Sequence, residues 1–107
     1  MTKRNDNLFV QDMPVGTGTE LAAGDSLQVR YSGYLVSGSR FDTGTISFRI
    51  GVGQVIQGWD TGVPGMKVGG KRKLVIGSSL GYGVRGSGPI PPNATLVFDV
   101  ELLNVYK

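Results

Sequence analysis

Hydrophobic and polar positions alternate strictly from Ser26 to Leu35. Leu27, Val29, Tyr31 and Leu35 fall on one face, and Gln28, Arg30, Ser32 and Tyr34 on the other. A period of two is the signature of an antiparallel strand with one buried face. Leu96, Phe98, Val100 and Leu102 repeat the pattern near the C-terminus with Asp99 and Glu101 outward, although Val97 and Leu103 break it. Leu74 and Ile76 suggest a third strand, and Ile46, Phe48 and Ile50, all on one side, a fourth. A less regular stretch, Leu8 to Met13, suggests a fifth. One segment reads differently. Ile56, Trp59 and Val63 recur at helical spacing between Gly53 and Pro64, enough for about two turns. So short a helix is not stable alone and must lie on the sheet. Turn signals at Ala23-Gly24-Asp25, Ser37-Gly38-Ser39, Val68-Gly69-Gly70 and from Gly81 to Asn93 separate the elements. The predicted class is α+β, an antiparallel sheet with one short helix across it.

Composition narrows the chemistry. At 107 residues the chain supports one domain with a modest core, and its 18 glycines point to many turns and close backbone approaches. It has no cysteine and no histidine, which excludes disulfides, thiolate nucleophiles, Ser-His-Asp triads and imidazole proton transfer. Residues 1–7 are polar and are read as a flexible segment ahead of a domain spanning 8–107. No apolar run follows that would mark an export signal or membrane span, so a cytoplasmic protein is expected. Part of the net charge of +3 comes from Lys67, Lys71, Arg72 and Lys73. Without aromatic side chains interleaved among them, these fit a solvated strand end rather than a nucleic-acid surface.

Two motifs imitate nucleotide sites. Gly65-Met66-Lys67-Val68-Gly69-Gly70-Lys71 approaches a phosphate-binding loop, but Arg72 stands where Ser or Thr would hold magnesium, and a strand pattern follows instead of a helix. Gly81-Tyr82-Gly83-Val84-Arg85-Gly86 has dinucleotide-type glycine spacing, yet Pro89, Pro91 and Pro92 impose an extended loop rather than a helix. Asp and Glu form no close pair of the kind hydrolases use.

A different set of motifs is specific. Tyr31-Ser32-Gly33, Phe41-Asp42, Val55-Ile56-Gln57-Gly58-Trp59-Asp60, Gly65 to Arg72, Gly81-Tyr82-Gly83 and the tail from Ile90 to Leu102 occur in one order with compatible spacing. From about Leu8 to its end the chain resembles the FKBP family of macrolide-binding peptidyl-prolyl cis/trans isomerases.

The resemblance implies a strongly twisted antiparallel sheet of five or six strands wrapped around one short helix, with a pocket between them. Carried over by motif, Tyr31, Asp42, Trp59, Tyr82 and Phe98 are the expected catalytic residues. Trp59 would form the floor, Tyr31 would hold Asp42, and Tyr82 would form a wall. Phe41, Phe48, Val55, Ile56 and Ile90 are the expected substrate-binding residues. The implied partners are proline-containing peptides, unfolded protein clients and macrolides such as rapamycin. No cofactor, metal, nucleic acid or membrane is called for, and a monomer is expected. Read without the family, Trp59, Val55, Ile56 and Phe98 also fit plain core and Asp42 fits a turn cap. A binding or chaperone module with little turnover is the alternative function. The sequence also departs from many relatives. The segment between Phe41 and Phe48 is short, which removes a loop beside the cleft. The stretch from Gly83 to Ile90 is one residue shorter, with Ser87 and Leu80 at positions where histidine and an aromatic residue are common.

Overall fold

The computed structural model describes residues 2–5, 8–81, 83, 86, 90, 91 and 93–106. Its strands are β1 (Thr2–Asn5), β2 (Leu8–Asp12), β3 (Ser26–Leu35), β4 (Arg40–Arg49), β5 (Lys71–Ile76) and β6 (Leu96–Tyr106), with one helix, α1 (Gln57–Gly62). The strands form one sheet in the order β1-β2-β5-β6-β3-β4, and every neighbouring pair is antiparallel. The α+β class expected from the pattern is therefore observed. Two strands differ from expectation. The polar segment before Leu8 contains β1, which pairs with β2 and was not marked by any apolar period. β4 starts at Arg40 rather than Ile46, because its outer residues find partners along the whole of β3.

One register sorts the side chains. Leu8 faces Ile76, Val10 faces Leu74, Leu74 faces Phe98 and Phe98 faces Gly33, so residues of like parity share the inner face. Leu8, Leu27, Val29, Leu74, Ile76, Leu96 and Leu102 on that face are all fully buried. Leu103 falls out of the alternation because the β3–β6 register shifts between Gln28 and Val29, leaving an extra residue on β6. Val97 is on the outer face in a row with Phe9, Val75 and Tyr34, which are half-buried together.

The helix sits unusually close to the sheet, and two glycines allow it. A Cβ at Gly58 would lie 2.6 Å from Ile76 side-chain carbons, and one at Gly62 would lie 3.0 Å from a Leu74 methyl. These residues are four apart, so they form one stripe of the helix against β2 and β5. Trp59 and Val63 are buried beside that stripe.

Arg72 corrects the reading of the basic cluster as a solvated strand end. It is on the inner face opposite Val100 and is only 5% exposed. Its Nε and Nη2 donate to the two carboxylate oxygens of Asp12 at 2.6 and 3.2 Å, while Nη1 donates to the carbonyls of Gly62 and Pro64. The guanidinium therefore satisfies carbonyls at the C-terminal end of α1 and ties them to β2 and β5. The segment resembling a phosphate loop is equally structural. Its residues hydrogen-bond along the backbone of residues 18–21, and the chain then turns through Gly69 and Gly70 into β5.

Candidate active site

Between α1, the loop ahead of it and the inner face of the sheet lies a cavity of about 410 Å³. Tyr31, Phe41, Asp42, Ile46, Gln54, Val55, Ile56, Trp59 and Phe98 line it. Trp59, the third residue of α1, is the hub of the aromatic packing. Tyr31 and Phe98 each meet it edge-to-face with ring centroids 5.2 Å apart, and Phe48 leans against it at 5.7 Å. Phe41 meets Phe98 edge-to-face at 5.6 Å and continues the wall. Such edge-to-face contacts each contribute roughly 0.5–1.5 kcal/mol beyond area burial, so the rings hold one another in place. The indole Nε1 is buried with no hydrogen-bond acceptor among the described residues.

Phe41 and Asp42 are adjacent in β4, and in a regular strand their side chains would point to opposite faces. Both nevertheless line the cavity. The cause is a shift in the β3–β4 register: Gly33 faces Asp42 and the next pair is Tyr34 with Arg40, so Phe41 is the extra residue of a bulge. A bulge re-aims the side chain it carries. Gly33 completes the arrangement, since a Cβ there would lie 2.7 Å from both the Phe41 and the Phe98 rings. The short Phe41–Phe48 segment is thus a bulged strand running directly into β3's pairing.

Two polar groups are fixed at the edge of the apolar cavity. The Tyr31 hydroxyl donates to Asp42 Oδ2 at 2.7 Å, and the other carboxylate oxygen accepts the Thr43 N–H at 2.9 Å. On the loop ahead of α1, Gln54 Oε1 accepts the Arg49 N–H at 2.9 Å. Ile56 is the residue ahead of α1, and its carbonyl accepts the N–H groups of Trp59 and Asp60. Its own N–H has no acceptor among the described residues.

Of the residues expected from sequence, Tyr31, Phe41, Asp42, Val55, Ile56, Trp59 and Phe98 come together around one space. Phe48 supports Trp59 from behind without lining the cavity, and Ile90 is packed in the core at 6% exposure. Tyr82 lies outside the described residues, as does Ser87. The sequence reading missed Ile46 and Gln54. Ile46 shares a period with Phe48 and could have been found on that ground. Gln54 is a polar residue in a glycine-containing loop and carries no pattern.

The cavity suits a compact, apolar, ring-shaped group flanked by backbone polar atoms. Among the described residues, no group of three acidic side chains converges to ligate a metal ion. A second depression of about 380 Å³ on the outer face is lined largely by charged residues. Two pairs within it, Arg30–Glu101 at 3.2 Å and Lys73–Asp99 at 4.0 Å, already compensate one another.

Comparison with known proteins agrees with this geometry. Residues 18–103 match the family model described as FKBP-type peptidyl-prolyl cis-trans isomerase. An FK506-binding protein of Neisseria meningitidis serogroup A is 50% identical, over 94% of this chain and 98% of its own length. FK506-binding protein 2 of Dictyostelium discoideum is 55% identical over 78% of this chain and 67% of its own. Among solved structures, AtFKBP13 superposes with a TM-score of 0.86 at 40% identity, covering 92% of this chain and 93% of that one. A peptidyl-prolyl cis-trans isomerase from Pseudomonas syringae pv. tomato gives 0.84 at 36% identity, covering 94% and 76%. The chain belongs to the FKBP-type peptidyl-prolyl cis-trans isomerases.

Proposed function

We propose that the cavity over Trp59 takes the prolyl ring of an X-Pro segment, accelerates rotation about the preceding peptide bond, and is the same site at which FK506- and rapamycin-type macrolides bind. The observation that carries the reading is the lining itself: four aromatic side chains around about 410 Å³, with polar groups only at the edge.

The chemistry follows from the bond. A planar X-Pro amide is stabilised by resonance that separates charge, and rotation over a barrier of ~18–20 kcal/mol removes that resonance. The twisted amide is less polar than the planar one. An apolar cavity that excludes water therefore disfavours the ground state more than the transition state. The Ile56 N–H supplies a fixed backbone donor for a substrate carbonyl. Asp42 acts by orienting the Tyr31 ring that forms part of the wall. No bond is made to the enzyme, which suits a chain without cysteine or histidine. The activity would serve the folding of proline-containing client chains.

The test is a proline-peptide isomerisation assay with and without FK506 or rapamycin. A rate well above the uncatalysed one, abolished by stoichiometric macrolide, is expected. Macrolide binding without acceleration would leave a binding module, and the absence of both acceleration and macrolide binding would overturn the cleft as the functional site.

A further inference from the structure

The loop from Ile50 to Ile56 connects β4 to α1 and contributes Gln54, Val55 and Ile56 to the cleft. It forms neither strand nor helix, and its Gly51 and Gly53 adopt φ of +84° and +79°. A segment of this kind has little to define its shape from its own backbone. What defines it is Asp60. Oδ1 of this helical residue accepts the Gly51 N–H at 2.7 Å, and Oδ2 accepts the Gly53 N–H at 2.9 Å. The backbone N–H of Asp60 donates to the Ile56 carbonyl at 3.2 Å, beside the bond from Trp59. One residue thus grips the loop at its start, its middle and its end. That residue directly follows Trp59, so the cleft's edge is referenced to its floor.

Asp60 does not line the cavity, and the bond types argue that its role is geometric. A carboxylate accepting two backbone N–H groups makes charge-assisted hydrogen bonds, about twice as strong as neutral ones. Both donors are glycines held at positive φ, where the chain can aim its N–H groups at a common point. On the Gln54 side, the bond from Arg49 N–H closes the loop against β4. With its two ends and its centre held, the loop presents Val55 and the Ile56 N–H before substrate arrives.

We propose that Asp60 is a positioning residue of the isomerase site, keeping the Gly51–Ile56 loop in its binding conformation. The inference rests on the prolyl-isomerase reading of the cleft. A loop docked only part of the time weakens apparent affinity by the fraction of time it is competent, and leaves the turnover of bound substrate nearly unchanged. Removing the carboxylate should therefore raise KM and the macrolide Kd together, with kcat held.

The experiment compares wild type, Asp60→Ala, Asp60→Asn and Asp60→Glu in a proline-peptide assay, in FK506 titrations, and by amide hydrogen exchange at Gly51, Gly53 and Ile56. For Asp60→Ala, KM and the FK506 Kd are expected to rise by about tenfold with kcat within about twofold, and the Gly51 and Gly53 amides to lose protection. Asp60→Asn, which retains one acceptor oxygen and is the milder change should the alanine variant not fold, should fall between. Asp60→Glu should recover most of the affinity. A folded Asp60→Asn or Asp60→Ala protein with lower thermal stability but unchanged KM and Kd would overturn the proposal and leave Asp60 a structural tie. Failure of the functional reading would show separately, as wild type that neither turns over peptide nor binds macrolide, and the Asp60 proposal would fall with it.

Discussion

The Tyr31 hydroxyl reaches across from β3 to the Asp42 carboxylate on β4, at 2.7 Å, while the Tyr31 ring abuts Trp59 edge-on. The two residues are not directly opposite: Tyr31 faces Gly44, and Asp42 faces Gly33. The bond therefore runs diagonally, over a position without a side chain, and pins one wall of the cleft to the floor. Tyr31→Phe keeps the ring contacts and removes the bond to Asp42. A hydrogen bond to a charged group contributes roughly 1.5–3 kcal/mol when shielded, and this one is partly open to water, so a loss of about 1 kcal/mol in stability is expected. Isomerase kcat/KM should fall by a few-fold, and Asp42→Asn, which preserves an acceptor oxygen, should fall less than Asp42→Ala. Denaturant melts and peptide assays on the three variants check the order.

Arg72 and Asp12 give a contrast between buried and exposed ion pairs. The Arg72 side chain is 4% exposed and Asp12 30%, whereas Arg30 in the Arg30–Glu101 pair is 64% exposed. Truncating Asp12 leaves a buried guanidinium half-satisfied, so Asp12→Ala should cost about 3 kcal/mol. Glu101→Ala should cost about 0.5 kcal/mol, and that small loss should vanish in high salt. Urea melts at low and high ionic strength distinguish the two. Equal, salt-sensitive losses would show that Arg72 is not enclosed as described.

The sheet face and the helix were legible in the sequence because each has a period: two for Leu27 to Tyr31 and Leu96 to Leu102, helical for Trp59 and Val63. Phe41 beside Asp42 was readable only through a family motif, because a bulge cancels the period that would have separated them. Arg72 read as a surface charge because its partner, Asp12, is sixty residues away in the chain. Gln54 left no trace at all, and Asp60 stood only as the last residue of a family motif with no role attached. Their roles come from side-chain bonds to a loop whose glycines have no pattern, and such bonds exist only once the loop is folded.

Activity should vary little with pH between about 6 and 8. The chain has no histidine and no cysteine, so it lacks the side chains whose ordinary pKa would place a charge change in or near that interval. Rotation about an amide in an apolar cleft requires no proton transfer to or from the enzyme. The measurement is kcat/KM across that range at constant ionic strength. A bell-shaped profile would show that a titrating group takes part and would contradict the desolvation account.

Gly33 offers the most selective test of the cleft's shape. It stands between Asp42 on β4 and Phe98 on β6, at the register position where the bulge brings Phe41 inward. A methyl group there would lie 2.7 Å from both Phe41 Cζ and Phe98 Cε1, closer than carbon atoms can approach. The backbone itself is extended and accepts alanine, so the conflict is with the two rings alone. Overpacking of this kind typically costs roughly 1–3 kcal/mol. Some of the strain can be relieved by rotating Phe41, which is half-buried, and relieving it that way closes the space a prolyl ring would use. Gly33→Ala is therefore expected to remain folded with a modest loss of stability, yet to lose at least tenfold in kcat/KM and in FK506 affinity. Combining it with Phe41→Leu should return much of the stability, because the branched chain is shorter than the ring, while restoring only part of the affinity that the aromatic wall supplied. If Gly33→Ala bound macrolide as tightly as wild type, the wall between Phe41 and Phe98 would not be part of the binding surface.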